Sequence, residues 1–178
     1  MPATHVALIR GINVGKAKRV SMADLKAIVE GLGYRDVRTL LNSGNVVFTA
    51  RAKPEAAAAR IEKALAERTG VSARVTVLTA AELAAAVAGN PLLKVATDPT
   101  RLLVAVLNSA ADRSRVGPLL EQDWAPERLA VGTRVAYLWC PDGILDGRLP
   151  AAVGRALGDG VTSRNWATVL KLINLVEG

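Results

Sequence analysis

The apolar positions of this chain fall into short blocks whose spacing alternates between that of strands and that of helices. Val6 to Ile9 is a continuous apolar run and predicts a strand. Leu25, Ile28, Val29 and Leu32 recur at i, i+3, i+4 and i+7, which predicts a helix burying one face. Ser21-x-x-Asp24 supplies a capping box for it, and Gly33 stops it. Val37 to Leu41 and Val46 to Phe48 predict two strands joined by the turn Asn42-Ser43-Gly44-Asn45. Pro54 opens a second helix, which buries Ile61 and Leu65 and ends at Gly70. Val71 to Leu78 predicts a fourth strand. The order β-α-β-β-α-β is that of a ferredoxin-like plait.

Thr79-x-x-Glu82 caps a further helix through Val87, and the stretch from Gly89 to Pro99 reads as a linker. A second cycle follows. Leu102 to Leu107 predicts a strand, and residues near Asp112 to Leu120 a short helix. Arg128 to Val131 and Val135 to Trp139 form a hairpin around Gly132-Thr133, and a helix runs near Leu149 to Leu157. A brief strand fits near Val161. A last helix runs from about Trp166 to Val176, with Trp166, Val169, Leu170, Ile173 and Val176 on one face. The predicted class is α+β, with two ferredoxin-like (βαββαβ) plait halves, the second less regular. Residues 1–80 form the first subdomain, 81–100 a helix and linker, and 101–178 the second plait-like subdomain with its C-terminal helix.

The plait carries a geometric consequence. Its first two strands run parallel with the third between them, so their C-terminal ends lie at one end of the sheet. The first of those ends is Arg10-Gly11-Ile12-Asn13-Val14-Gly15-Lys16-Ala17-Lys18-Arg19, with four cations and no acid. The second is Asn42-Ser43-Gly44-Asn45. Loops at one end of a rigid sheet are a usual place for binding groups. Arg10, Lys16 and Lys18 would neutralise an anion, Asn13, Ser43 and Asn45 would hydrogen-bond it, and Gly11, Gly15 and Gly44 would let backbone approach it. The plainer reading, that both segments are turns needing Gly and Asn, stands beside this one. A third segment is Ser163-Arg164-Asn165-Trp166. Ser163 or Asn165 can cap the last helix, whose N-terminus favours an anion beside Arg164. Arg164 could equally pair with a carboxylate of its own chain. Trp166 could offer a flat face to a base, but its helical spacing with Val169 and Ile173 favours the core.

Composition changes this picture in three ways. Aromatic residues make up only 3% of the 178, so the core must be aliphatic. The chain has no run of uncharged apolar residues long enough to span a bilayer, no secretory signal pattern at Met1 to His5, and a single cysteine, Cys140. These three features predict a cytoplasmic protein without disulfides. The net charge is +7, and nine bases lie in the first 53 residues against Asp24, Glu30 and Asp36. That placement fits a phosphate or polyanion partner, and it fits a solvated basic surface as well.

Several mechanisms are excluded. Gly11 to Lys16 has three residues between its glycines where a P-loop has four, and Ala17 stands where the magnesium-binding hydroxyl belongs. Gly31-Leu32-Gly33 ends a helix instead of opening one, so it is no dinucleotide fingerprint. His5 is the only histidine and sits at the start of the first strand, away from the loops. Cys140 has no cationic activator in the sequence around it and reads as a core filler. No Cys/His cluster has zinc spacing, and Asp142 and Asp146 lack the EF-hand pattern. Neither a metal nor a cofactor is expected.

Arg10-Gly-Ile-Asn-Val-Gly15, Met22-x-x-Leu25, Gly33-Tyr34, Ser43-Gly-Asn-Val-Val-Phe48 and Arg164-Asn-Trp-x-Thr-Val169 together resemble the bacterial family known as domain of unknown function 1697. The resemblance implies a small cytoplasmic protein with plait-like halves, and it implies no established activity. Members often carry a further glycine where Lys16 stands here, and Tyr-x-Gln where Leu40 and Asn42 stand. The function expected from these readings is binding of a phosphate-bearing small molecule, a nucleotide or related metabolite, at the loop cluster. An electrostatic nucleic-acid-binding module and a homo-oligomeric interaction protein are the alternatives. Whether a reaction follows is left open by the sequence.

Overall fold

A computed structural model describes residues 1–158 and 161–178. Its first strand, β1 (Ala3–Ile9), is followed by α1 (Met22–Gly31), β2 (Arg35–Leu40), β3 (Asn45–Ala50), α2 (Pro54–Thr69), β4 (Val75–Thr79) and α3 (Ala80–Ala88). The second series is β5 (Leu102–Val106), α4 (Ala110–Val116), a 3₁₀ turn (Gly117–Glu121), β6 (Arg128–Val131), β7 (Val135–Trp139), α5 (Arg148–Leu157), β8 (Thr162–Asn165) and α6 (Trp166–Glu177). Two antiparallel four-stranded sheets result, ordered β2-β3-β1-β4 and β6-β7-β5-β8. Both have the plait order, so the two ferredoxin-like halves expected from sequence are present.

The chain divides into two compact units, Met1–Leu83 with Leu172–Gly178, and Ala84–Lys171. In the first, Ala7, Ile9, Val46 and Phe48 face Leu25, Ile28, Ile61 and Leu65 of α1 and α2. Val6, Leu8, Val47 and Leu78 alternate with them and are buried too. A strand buried on both faces reads as an unbroken apolar run, which explains Val6 to Ile9. In the second unit, Ala105, Leu107, Ala136 and Leu138 pack with Val116, Leu149, Val153 and Leu157.

Local signals act as their chemistry dictates. The Asp24 N–H donates to the Ser21 hydroxyl at 3.0 Å, capping α1. Thr79 and Glu82 form a reciprocal capping box at the start of α3, at 3.0 and 3.1 Å. Gly70 ends α2 in the left-handed conformation, φ 73°. There the Thr69 hydroxyl takes the Val71 N–H, and β4 begins only at Val75, four residues later than its apolar pattern suggests. On α6, Leu172 is buried and Leu170 exposed, so the buried face runs through Trp166, Val169, Leu172 and Ile173 instead of through Leu170. Helix α5 has only Gly147 as N-cap, and the buried Glu127 carboxylate reaches across to accept the Arg148 and Leu149 N–H groups, at 2.9 and 3.3 Å.

Candidate functional site

The connection from β1 to α1 is long: residues 10–21, twelve in all. It is anchored by two buried side chains, Ile12 and Val20, and carries the exposed Val14 at its tip. Asn13 holds it in shape. One Asn13 amide proton goes to the Val20 carbonyl at 2.7 Å and the other to the Asn42 carbonyl at 2.8 Å. Its side-chain oxygen accepts the Val20 N–H at 2.8 Å. The Asn13 N–H closes the loop onto the Lys18 carbonyl at 3.0 Å. The Arg19 guanidinium adds bonds to the Asn13 and Gly15 carbonyls, at 3.1 and 3.2 Å.

This path requires backbone that most residues avoid. Gly11, Asn13, Gly15 and Lys18 all have positive φ, at 68°, 57°, 66° and 52°. Glycine and asparagine tolerate it readily; lysine does so at a cost of about 1–3 kcal/mol. Strain of this kind is found preferentially at binding and switch regions.

The structure brings the β2–β3 turn to this loop, as the plait predicts. The Ile9 N–H donates to the Gly44 carbonyl at 2.9 Å, and Asn42 accepts from Asn13 as described. Gly44 has φ 88°, and a Cβ there would meet Ile9 and Ile12 at 3.0 Å. Its small size therefore serves the packing of turn against loop. Asn45 is fully buried and donates to the Leu40 carbonyl and the Ser43 hydroxyl, at 2.8 and 3.0 Å. Asn13 and Asn45 thus shape the site, while Val14, Asn42 and Ser43 are exposed beside the cations. Lys16 and Lys18 are exposed, and Arg10 is half-buried.

Sequence reasoning missed one cation here. β4 lies antiparallel to β1, so the residue before β4 sits beside the residue after β1. The Arg10 N–H donates to the Arg74 carbonyl at 2.9 Å, and the Arg74 side chain is exposed. The plait order alone carried that signal.

Arg164, Asn165 and Trp166 lie in the second unit, where β8 turns directly into α6. Asn165 caps α6 by accepting the Thr168 N–H at 2.9 Å, and Trp166 is buried. Arg164 donates to the Thr162 hydroxyl and the Ser163 carbonyl, and burial pushes its pKa down to about 10 because the charged form loses hydration.

Other chemistry is constrained by burial. His5 is buried, its Nδ1 bonded to the Ala3 carbonyl at 2.8 Å and its ring stacked on Phe48. Cys140 is buried, and burial together with the neighbouring Glu127 raises its thiol pKa to about 12. Such a thiol is almost entirely protonated at neutral pH and is a poor nucleophile. Among the described residues there is no group of three or more His, Cys, Asp or Glu side chains placed to hold a metal ion. Phe48 and Tyr34 stack on each other inside the first unit, so neither offers the exposed platform on which single-stranded bases stack. Among the described residues, no helix is long and apolar enough to cross a membrane.

Comparison with solved structures finds a conserved bacterial protein from Streptococcus pneumoniae with a TM-score of 0.76 and 20% sequence identity, the match covering 99% of each chain. At that identity the likeness concerns the fold. No curated protein matches the chain. The family model described as "Protein of unknown function (DUF1697)" matches residues 3–137, and the chain belongs to that family.

Proposed function

We propose that the protein binds a phosphate-bearing small molecule, a nucleotide or related metabolite, at the loop that follows β1. The observation that carries this reading is a contrast within the chain. The second plait joins its first strand to its first helix with three residues, 107–109, while the first plait uses twelve. The fold therefore does not require the longer connection. Long loops held in place within compact domains are usually functional, and this one presents cations.

Arg10, Lys16 and Lys18 supply positive charge, Arg74 adds to it from the neighbouring strand, and Gly11 and Gly15 leave backbone open to a ligand. A Cβ at either glycine would meet nothing within 4 Å. Asn13, Ser43, Gly44 and Asn45 hold the loop and turn in register. A loop fixed before binding loses little conformational freedom on capturing its ligand, which favours affinity. Arg164, Asn165 and Trp166, in the other unit, make their own bonds and packing at the start of α6, and this reading does not draw on them.

A thermal-shift panel tests the reading, with inorganic phosphate, nucleotides, nucleotide sugars and short oligonucleotides, each at two salt concentrations. A salt-tolerant shift with one class of phosphate compound supports it. Shifts confined to oligonucleotides at low salt transfer the loop's role to electrostatic nucleic-acid binding. No shift with any compound overturns it and leaves the interaction-protein alternative. For that alternative the edge strand β2 matters: it carries the exposed Arg35 and Asp36 and a bulge, features that discourage edge-to-edge pairing.

A further inference from the structure

At the opposite end of the first sheet lies a cleft of about 590 Å³. It is bounded by the end of α1, the start of β2 and the end of β3, and its lining includes Gly33, Tyr34, Arg35, Asp36, Arg51 and Arg60. Its volume falls in the range of about 300–1,000 Å³ typical of small-molecule sites. Its lining includes three arginines and a single acid, Asp36.

Two features suggest a built site. The first is the fixing of Arg60. Its guanidinium lies 5.4 Å from the centre of the Tyr34 ring and donates to the Leu32 carbonyl at 3.2 Å and the Tyr34 hydroxyl at 3.4 Å. A guanidinium has five N–H groups, so this anchoring leaves donors over. The second is a bulge in β2. Arg35 pairs with Thr49 and Arg38 with Val47, so Asp36 and Val37 together oppose Phe48. Asp36 adopts φ 51° to achieve this. Bulges re-aim side chains, and they are common beside functional sites. Arg35 and Arg51 are both exposed, two positions apart along the β2–β3 pairing.

We propose that this cleft is a second, separate anion site, taking the phosphate or carboxylate group of a small molecule between Arg35, Arg51 and the anchored Arg60. Arginine forks match both groups because each presents two oxygens at the spacing of paired N–H donors. The site lies at the N-terminal end of β1, whereas the Arg10–Arg19 loop leaves its C-terminal end, so the two can be read independently.

The test is an amide-shift titration of the ¹⁵N-labelled full chain with inorganic phosphate and, separately, with succinate. Saturable movement of the Gly33, Asp36 and Ala52 signals is expected. In Arg35→Gln/Arg51→Gln that movement should need at least tenfold more ligand, while any movement at Gly11 and Gly15 is unchanged. Arg51→Gln alone should fall between the two. Whichever anion saturates at the lower concentration identifies the group the site takes. Signals at Gly33, Asp36 and Ala52 that stay still with both anions, or move equally in wild type and double variant, overturn the proposal.

Discussion

The two plaits leave their first strands in opposite ways. In the second, the connection is short and closed. The Asp112 carboxylate accepts the Asn108 N–H at 2.7 Å, Ser109 caps α4, and the Arg134 side chain donates to the Leu107 carbonyl at 2.7 Å. In the first, the connection is four times as long and carries its cations outward. Arg19 and Asn13 commit their polar groups to the loop and the adjoining turn, leaving Lys16 and Lys18 at the surface. One fold thus contains its own control. What both halves share is needed for the plait, and what only the first half has is available for function.

The contrast can be broken at several points. The largest expected effect is at the paired turns. Gly44→Ala combines a left-handed backbone with a crowded Cβ and should cost about 3 kcal/mol in denaturant unfolding. The turn glycine of the second plait, Gly132, has only ordinary contacts from 3.5 Å outward. Gly132→Ala should cost under about 1 kcal/mol. Equal costs would remove the distinction between the two ends.

Asn13→Ala comes next. It leaves the Val20 N–H and the Val20 and Asn42 carbonyls without their partner, a loss of about 2 kcal/mol that thermal unfolding would register as a fall of roughly 4–8 °C. Asp112→Ala in the other connection removes one backbone partner from a capped helix end and should cost about 1 kcal/mol. If Asp112 proved the more important of the two, the first loop would not be held as described.

Cys140 gives an effect confined to alkaline solution. An unfolded thiol ionises near its ordinary value of 9.0, and the folded one at about 12. Between those values the unfolded state loses its proton first, so stability falls as pH rises from about 9 toward 12. Cys140→Ala should lack that slope. At neutral pH the wild-type thiol should resist iodoacetamide until the protein unfolds. Lys16→Gln/Lys18→Gln has the smallest effect on stability, within about 0.5 kcal/mol, because both side chains are exposed.

Much of this architecture was legible in the sequence because local and tertiary preferences agree there. β6 and β7 have the bounds the hairpin around Gly132-Thr133 gives, and Ser21, Thr79 and Gly70 act at the helix ends where their chemistry places them. β8 was faint because Thr162-Ser163-Arg164-Asn165 has no apolar alternation, and pairing with β5 makes it a strand. The approach of the Arg10–Arg19 loop to the Asn42–Asn45 turn followed from topology. The division of labour inside the loop did not. Asparagine has the same appearance in a sequence whether it binds a ligand or ties down a backbone, and only its bonds to Val20 and Asn42 separate the two. The arginine-lined cleft was hidden for a different reason: Arg35, Arg51 and Arg60 come from three elements, and a bulge unmarked by glycine or proline helps shape the cleft.

Binding of phosphate-bearing molecules at the first plait's extra loop, as proposed, is tested by comparing wild type with Lys16→Gln/Lys18→Gln across the phosphate-compound panel. At one hundred times its dissociation constant, a ligand should stabilise the wild type by about 2.7 kcal/mol, a rise of roughly 5–10 °C. Such a rise is expected with one compound class in the wild type and is lost in the double variant, whose own melting temperature is unchanged. A shift of the same size in both proteins would contradict it.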